Sequence, residues 1–441
     1  MTATSVHIPA VIIGAGHAGL AMSRRLTERS IAHVVLERGG VANSWRTERW
    51  DSLRLLTPNW QTRLPGMGYC GDDPDGFMTT SDVASFLSTY AATIAAPLQL
   101  ETTVTRLCAH DLGYLVETDR GSWTCSSVVI ASGGSNIASV PKAAADVPAS
   151  VSQVTSMTYR CPEALDERAV LVVGASATGV QLADEISRSG RTVTISVGEH
   201  VRMPRAYRGR DVFWWMDNAG VLDEDHHEVD DLVRARHLPS PQLIGTPEHR
   251  SIDLNALTDR GVEIVGRLGA INDGVAQFSG SLANVCMMAD LKMNRLLQRF
   301  DEWADAAEVS GIGPAQRFDA TRVPPAARLE MDLIGDDLGT IVWATGYRPD
   351  YSWLDLPVLD RKGRIHHDGG VTDAPGVYVT GLNVLRRRRS SFISGAIRDS
   401  AELGDHLDGY LQATAGERRL DGSTPEDGAG LGDHLVHHVG C

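Results

Sequence analysis

The sequence predicts an α/β protein with two Rossmann-like dinucleotide-binding domains, the NADPH domain inserted into a discontinuous FAD domain. Two observations carry this expectation. Residues 8–19 read IPAVIIGAGHAG and residues 168–179 read RAVLVVGASATG, so an apolar run breaks into a glycine-rich turn twice. Each turn is followed by a segment of helical period, Leu20 to Leu26 and Val180 to Ile186. A second β-rich run comes next, HVVLE ending at Glu37 and TVTISV ending at Val197. The expected partition is residues 1–162 with 316–411 for the first domain, 163–315 for the second, and a poorly ordered tail over 412–441.

The elements follow in order. The first strand begins near His7, with no basic-then-apolar leader ahead of it. Between the two units, TTVTRLCAH, YLVET and SWTCSSVVIASG alternate and read as an antiparallel meander returning to a buried strand, with Ser132 at its end. After the second unit, residues 285–303 form an amphipathic helix with Met293, Leu296, Leu297, Phe300 and Trp303 on one face. TIVWATG, ending at Gly346, and GVYVTG, ending at Gly381, are further buried strands, both assigned to the first domain. From Ala413 the chain is rich in Gly and Asp and lacks periodicity.

Composition narrows the function. The 441 residues carry 41 Lys and Arg against 56 Asp and Glu, a net charge of −15, which argues against nucleic acid or an anionic membrane as partner. No apolar run approaches the roughly 20 residues of a membrane helix. The six cysteines (Cys70, Cys108, Cys125, Cys161, Cys286, Cys441) include no C-x-x-C. That pattern is neither a disulfide framework nor a zinc site, and it removes reductases that use such a dithiol. A reduced, cytoplasmic enzyme is the expectation.

Gly14, Gly16 and Gly19 form a G-x-G-x-x-G turn between strand and helix. The first glycine allows the sharp turn, the second admits a pyrophosphate and the third lets helix and strand pack. Glu37 is placed to accept from a ribose hydroxyl. In the second copy, Gly174 and Gly179 keep the outer positions and Ser176 takes the middle one, while Val197 stands where Glu37 stood. An acid there would repel a 2′-phosphate. The following loop instead supplies Arg202, Arg205, Arg208 and Arg210, with Arg202 nearest in sequence, so NADPH is expected over NADH. Because a bound redox cofactor must accept hydride from that nucleotide, the first site is expected to hold a flavin, FAD. Asp223, Asp225, His226, His227 and Glu228 share no helix or strand spacing and are expected to be an exposed acidic loop, with no metal. The run Arg386 to Arg389 reads as a solvated turn or as contacts to phosphate, carboxylate or NADPH. His434, His437 and His438 offer adventitious metal binding at most. G-x-S-x-G is absent, so no hydrolase signature competes.

Residues 8–411 resemble class B flavin-dependent monooxygenases, the group of flavin-containing monooxygenases and YUCCA-type enzymes. More narrowly they resemble bacterial flavoproteins described as involved in potassium transport. The likeness rests on GAGHAG, VANSWRTERWDSLRLLTP (41–58), FMTTSDVASFLSTYA (77–91), VLVVGASATGVQLADEI, RAYRGRDVFWW, IVWATGYRPDYSWL and VLRRRRSSFISGAIRDSAELGDHL, in that order. The resemblance implies that Trp45 and Arg46 lie against the flavin and that Ala344, Thr345 and Gly346 link the two domains. It also implies that Ser390 and Ser391 open the helix after Gly381, its amides facing the reduced flavin. One departure stands out. The family fingerprint F-x-G-x-x-x-H-x-x-x-Y/F/W would end at Tyr159, which places Ala149, Val151 and Thr155 at its Phe, Gly and His positions. The implied chemistry is transfer of one oxygen atom from O2, through a C4a-(hydro)peroxyflavin, to a small organic substrate. N- or S-oxidation or hydroxylation is favoured. Baeyer–Villiger insertion, or an NADPH oxidase or flavin dehydrogenase without oxygenation, is the alternative. The oligomeric state stays open, a homodimer among the options.

Overall fold

The computed structural model describes residues 6–111 and 113–420, with side chains described to residue 416. His434, His437, His438 and Cys441 lie outside the described residues. The chain opens with β1 (Val6–Ile13), α1 (His17–Glu28) and β2 (His33–Leu36), followed by the short α2 (Asn43–Thr47) and by α3 (Thr80–Thr93). Next come β3 (Leu98–Gln99), β4 (Val104–His110), β5 (Gly113–Thr118) and β6 (Gly121–Ile130). β1 is buried over its last four residues, as an apolar run must be when both faces of a parallel strand are covered. It pairs in parallel with β2 on one side and β6 on the other, and β4 and β5 join β6 as the predicted antiparallel meander.

The second unit runs through β7 (Ile137–Ala138), β8 (Ser152–Thr155), β9 (Ala169–Val173), α4 (Ala177–Arg188), β10 (Val193–Val197) and α5 (Val212–Asn218). It continues through β11 (Glu263–Gly266), α6 (Leu282–Ala306) and β12 (Leu338–Trp343). Its sheet is wholly parallel, in the order β8-β12-β9-β10-β11. Alternation along β9 splits the core in two. Val170 and Val172 face the α4 side, and Leu171 and Val173 face a layer containing Ile271, Ala276 and Phe278. Each fully buried side chain of this kind contributes about 1.5–3 kcal/mol.

This topology corrects the expected boundaries. β8 and β12 were placed in the first domain (1–162 and 316–411), yet both are strands of the second sheet, flanking β9 through β12. The chain crosses between sheets at β7 and at β13 (Tyr347–Arg348), and these two crossings pair with each other antiparallel. Ala344, Thr345 and Gly346 therefore do lead into a joint between the sheets.

The chain returns to the first sheet at Leu354–Asp355, parallel to β4, and adds the hairpin β14 (His367–Asp368) and β15 (Val371–Thr372) and then β16 (Val377–Val379), parallel to β6. The last described element is α7 (Ala396–Leu420), which packs on α1. Helix α7 runs nine residues into the expected disordered tail (412–441), to Leu420. The predicted helix at 285–303 is α6, with Met293, Leu297 and Phe300 buried and Leu296 and Trp303 packed beside Trp215 and Phe213. Among the described residues no helix is long and apolar enough to cross a membrane.

Candidate functional site

The first glycine turn lies at the C-terminal edge of β1. Gly14 has φ +112°, and a Cβ there would stand 2.5 Å from the Ala131 carbonyl oxygen. At Gly19 a Cβ would stand 2.0 Å from the Gly14 carbonyl oxygen, so helix and strand touch backbone to backbone. A Cβ at Gly16 meets nothing within 4 Å. That open side faces a cavity of about 440 Å3 whose walls include Gly14, Gly16, Glu37, Trp45, Ser132 and Asn136. Its size is typical of a ligand pocket.

The donor set around this cavity suits a dinucleotide. Gly16 is the N-cap of α1 and no side chain caps it, so the first-turn amides keep their capacity for an anion. Glu37 is 9% exposed. Its Oε2 accepts the Ala15 N–H at 2.8 Å and its Oε1 the Gly39 N–H at 3.2 Å, and each oxygen retains room for a second donor. The Ser132 hydroxyl is buried against the cavity without a partner, and Nε2 of His17, in the first turn of α1, is also buried without one. Burial lowers the His17 pKa to about 4, so its imidazole is neutral near pH 7. The residues fit the adenosine and pyrophosphate of FAD. Arg49 spans from this site to the joint, its guanidinium 5.8 Å from the Trp45 ring and 5.7 Å from the Tyr347 ring.

The second turn repeats the backbone. Gly174 also has φ +112°, and a Cβ at Gly179 would stand 1.8 Å from the Gly174 carbonyl oxygen. Ser176 is the N-cap of α4 and makes no side-chain cap hydrogen bond. Here the turn is roofed by a loop. The Ala177 N–H donates to the Ser240 carbonyl at 3.3 Å, and Gln242 Nε2 donates to the Ala175 carbonyl at 2.8 Å. That leaves Gln242 Oε1 and His200 Nε2 buried without partners beside it.

Several expected site residues are placed elsewhere. Arg202 is buried, with Nη2 2.7 Å from Asp253 and Nη1 2.7 Å from Asp290. Arg205 is buried between Phe77 and Phe213, bound to Asp211 at 2.7 Å and to the Leu56 carbonyl at 2.8 Å. Arg208 bonds Asp301 at 2.9 Å and the Gly313 carbonyl at 2.8 Å. Three guanidiniums expected at a 2′-phosphate are thus neutralised by internal carboxylates, because desolvated arginines must find a counter-charge. The basic groups at the end of β10 come from other elements. Arg267, just after β11, runs its methylenes 3.8 Å from a Cβ built on Gly198. Lys292 and Arg234 approach Glu199 at 3.0 and 3.6 Å.

On the flavin side, Arg46 turns onto α3, donating to Ser88 Oγ at 2.9 Å, and lies outside the cavity wall. Gly346 (φ +89°) and Gly381 (φ +76°) shape turns beside the site rather than lining it, the latter because a Cβ would stand 2.9 Å from Ala18. Ser391 does not open the last helix, which begins at Ala396. The neighbouring Ser390 closes a tight turn, its Oγ accepting from the N–H groups of Arg386 and Arg387. The Arg386–Arg389 run is not solvated. Its members meet Glu402, Asp399, Glu224 and Asp223 in turn. Missed in the sequence were Asn136 and Asp350, both on the cavity wall, with the Asp350 N–H donating to Asn136 Oδ1 at 3.1 Å. The GYRPDYSW segment was the available signal for Asp350.

Two glycine turns, one on a mixed sheet and one on a parallel sheet joined to it, define a two-domain dinucleotide oxidoreductase. Residues 11–209 match a family model described as pyridine nucleotide-disulphide oxidoreductase. Over 399 residues the chain is 30% identical to an uncharacterised CzcO-like oxidoreductase of Geobacillus kaustophilus, covering 90% of this chain and 97% of that one. It is 32% identical over 217 residues to the indole-3-pyruvate monooxygenase YUCCA8 of Oryza sativa, spanning 46% of this chain and 51% of that enzyme. The solved flavin-containing monooxygenase of Stenotrophomonas maltophilia has the same fold, with a TM-score of 0.63 at 19% identity over 92% of this chain and 99% of that one. The chain belongs to the class B flavin monooxygenase family, among its CzcO-like oxidoreductases.

Proposed function

We propose that this enzyme holds FAD at the Gly14–Gly19 turn and NADPH at the Gly174–Gly179 turn, and transfers one oxygen atom from O2 to a small organic substrate. N- or S-oxidation or hydroxylation is favoured over Baeyer–Villiger insertion. The observation that supports this reading best is the repeated turn. Two helix N-termini without a side-chain cap, each behind a glycine at φ +112°, offer amides for one pyrophosphate apiece, those of the second turn once the Ser240 carbonyl gives up the Ala177 N–H. Bound flavin would supply hydride acceptance and oxygen activation; the chain supplies binding, orientation and exclusion of water. Glu37 holds the ribose of the first nucleotide. Absence of an acid at Val197, together with Arg267 beside Gly198, favours a phosphorylated ribose at the second.

Purified holoprotein reduced anaerobically by NADPH or by NADH, then mixed with oxygen over a panel of amines, sulfides and ketones, tests this reading. Faster reduction by NADPH and oxygenated amine or sulfide product are expected. Stoichiometric hydrogen peroxide with no product from any substrate would instead assign an oxidase.

A further inference from the structure

The seam between the two sheets gathers imidazoles and carboxylates outside the lining of the flavin-side cavity. Asp225, His226 and His227 offer ligand atoms all within 4.8 Å of one another. The expected exposed loop holds at His227 and Glu228, and His226 departs from it, its side chain only 5% exposed. Convergence comes from tertiary structure rather than local spacing. Asp225 forms an isolated bridge with Arg387, and the His226 N–H donates to the Arg386 carbonyl at 2.8 Å. This docks the turn onto the first sheet's side of the seam, where Asp368 of β14 meets it. We propose that His226, His227 and Asp368 hold a divalent transition-metal ion, with Asp225 accepting from the other side of the His226 ring, and that this ion ties the inserted segment to the β14–β15 hairpin.

The chemistry of His226 carries the argument. Its Nδ1 lies 3.2 Å from the Arg386 carbonyl and 3.1 Å from Asp225, and its Nε2 lies 2.9 Å from Asp368 Oδ1. All of these neighbours are acceptors, and a neutral imidazole has one N–H. Whichever nitrogen carries that hydrogen, the other lone pair faces an oxygen; with the hydrogen on Nδ1 the place is the gap between Nε2 and Asp368, where either a second proton or a metal ion must sit. Such an arrangement is the usual one for a metal-bound histidine, whose other ring nitrogen donates to a carbonyl or carboxylate.

His227 selects a metal ion over a second proton. Its ring lies against His226, tilted by 35° with centroids 3.9 Å apart, and its Nε2 lies 3.9 Å from the same Asp368 oxygen. That is too long for a hydrogen bond. Ligands around a tetrahedral ion with bonds of about 2.0–2.1 Å are roughly 3.3 Å apart, so the separations of 2.9 and 3.9 Å bracket one shared ion. Among the described residues the ion pairs of Asp225 and Asp368 are all with these two histidines, because Arg386 and Arg387 are taken up by Glu402 and Asp399. Two imidazoles with carboxylate oxygens suit Zn2+ or Co2+ over Mg2+ or Ca2+.

The test is calorimetric titration of untagged, chelator-stripped holoprotein with Zn2+, followed by metal analysis after dialysis. Retention of one equivalent is expected, with affinity at least about tenfold weaker in His227→Ala and in Asp368→Asn. Both side chains are mostly exposed, 69% and 77%, so the variants should keep their flavin and circular dichroism. A His434→Ala/His437→Ala/His438→Ala variant should bind like the parent. Absence of saturable binding overturns the site. So does binding unchanged in both seam variants, or binding lost with the three tail histidines.

Discussion

Gly14 and Gly174 share φ +112°, and the third glycine of each turn would set a Cβ 2.0 or 1.8 Å from the first glycine's carbonyl oxygen. Outside that backbone the two turns part. The first opens on a cavity with Glu37 at its edge; the second is roofed by Ser240 and Gln242 and has Val197 where the acid would be. Backbone geometry defines a place for a pyrophosphate, and the flanking side chains decide which nucleotide it belongs to.

Substitutions at the shared positions break the comparison most severely. Gly19→Ala and Gly179→Ala each drive a methyl into a backbone carbonyl that cannot retreat. Each should cost more than about 5 kcal/mol and give unfolded protein by circular dichroism. Gly16→Val is the contrasting case. A Cβ there meets nothing, so the variant should fold but emerge colourless, its side chain filling the space a pyrophosphate needs. Stoichiometric flavin in Gly16→Val would remove the first site.

The next effect concerns stability alone. Arg202→Ala leaves Asp253 and Asp290 facing each other without their shared cation. A loss of about 3–5 kcal/mol in urea unfolding is expected, with the ratio of NADPH to NADH efficiency unchanged. A changed ratio in stable Arg202→Ala would return this arginine to the nucleotide.

Arg267→Ala should do the opposite. It is exposed beside Gly198, so stability should hold. Loss of one charge-assisted contact, about 1.5 kcal/mol, should raise the KM for NADPH roughly tenfold and leave NADH kinetics alone. If both nucleotides weaken equally, Arg267 serves the adenosine rather than its phosphate.

These assignments show what could be read in advance. Both β-turn-α units were legible because their determinants are local: apolar runs, glycine spacing and helical period within 30 residues. Helix α6 was legible because its buried face repeats at helical period. The domain boundaries were not: β12 is an apolar strand whose place is set by β9, far earlier in sequence, and β8, the polar SQVT, is held in that sheet only by pairing with β12. The arginines misled for the same reason. Asp253 and Asp290 lie 51 and 88 residues from Arg202, and nothing near RMPRAYRGRD announces them. Likewise the turn closed by Ser390 displaces the start of α7 to Ala396, although RSSF reads as a helix opening.

The smallest expected effect again contrasts the two turns. His17 opens α1, and its counterpart at the start of α4 is Ala177. Burial lowers the His17 pKa from 6.5 to about 4, so unfolding takes up a proton on this ring between those values. The folded pKa is the depressed one, hence the contribution is fully present above pH 6.5 and shrinks as pH falls toward 4. Linkage gives a loss of about 0.8 kcal/mol between pH 7.5 and pH 6 from this group. His33 shifts in the same direction through burial and adds to the slope, so the parent's dependence exceeds that of either group alone. His17→Gln keeps a polar side chain of similar reach and cannot titrate. Urea unfolding of the flavin-free protein at the two pH values should show the variant losing about 0.8 kcal/mol less than the parent. An equal loss in both proteins would mean that His17 titrates near its ordinary value. The first turn would then hold a charged imidazole at mildly acidic pH, beside the amides that await the pyrophosphate.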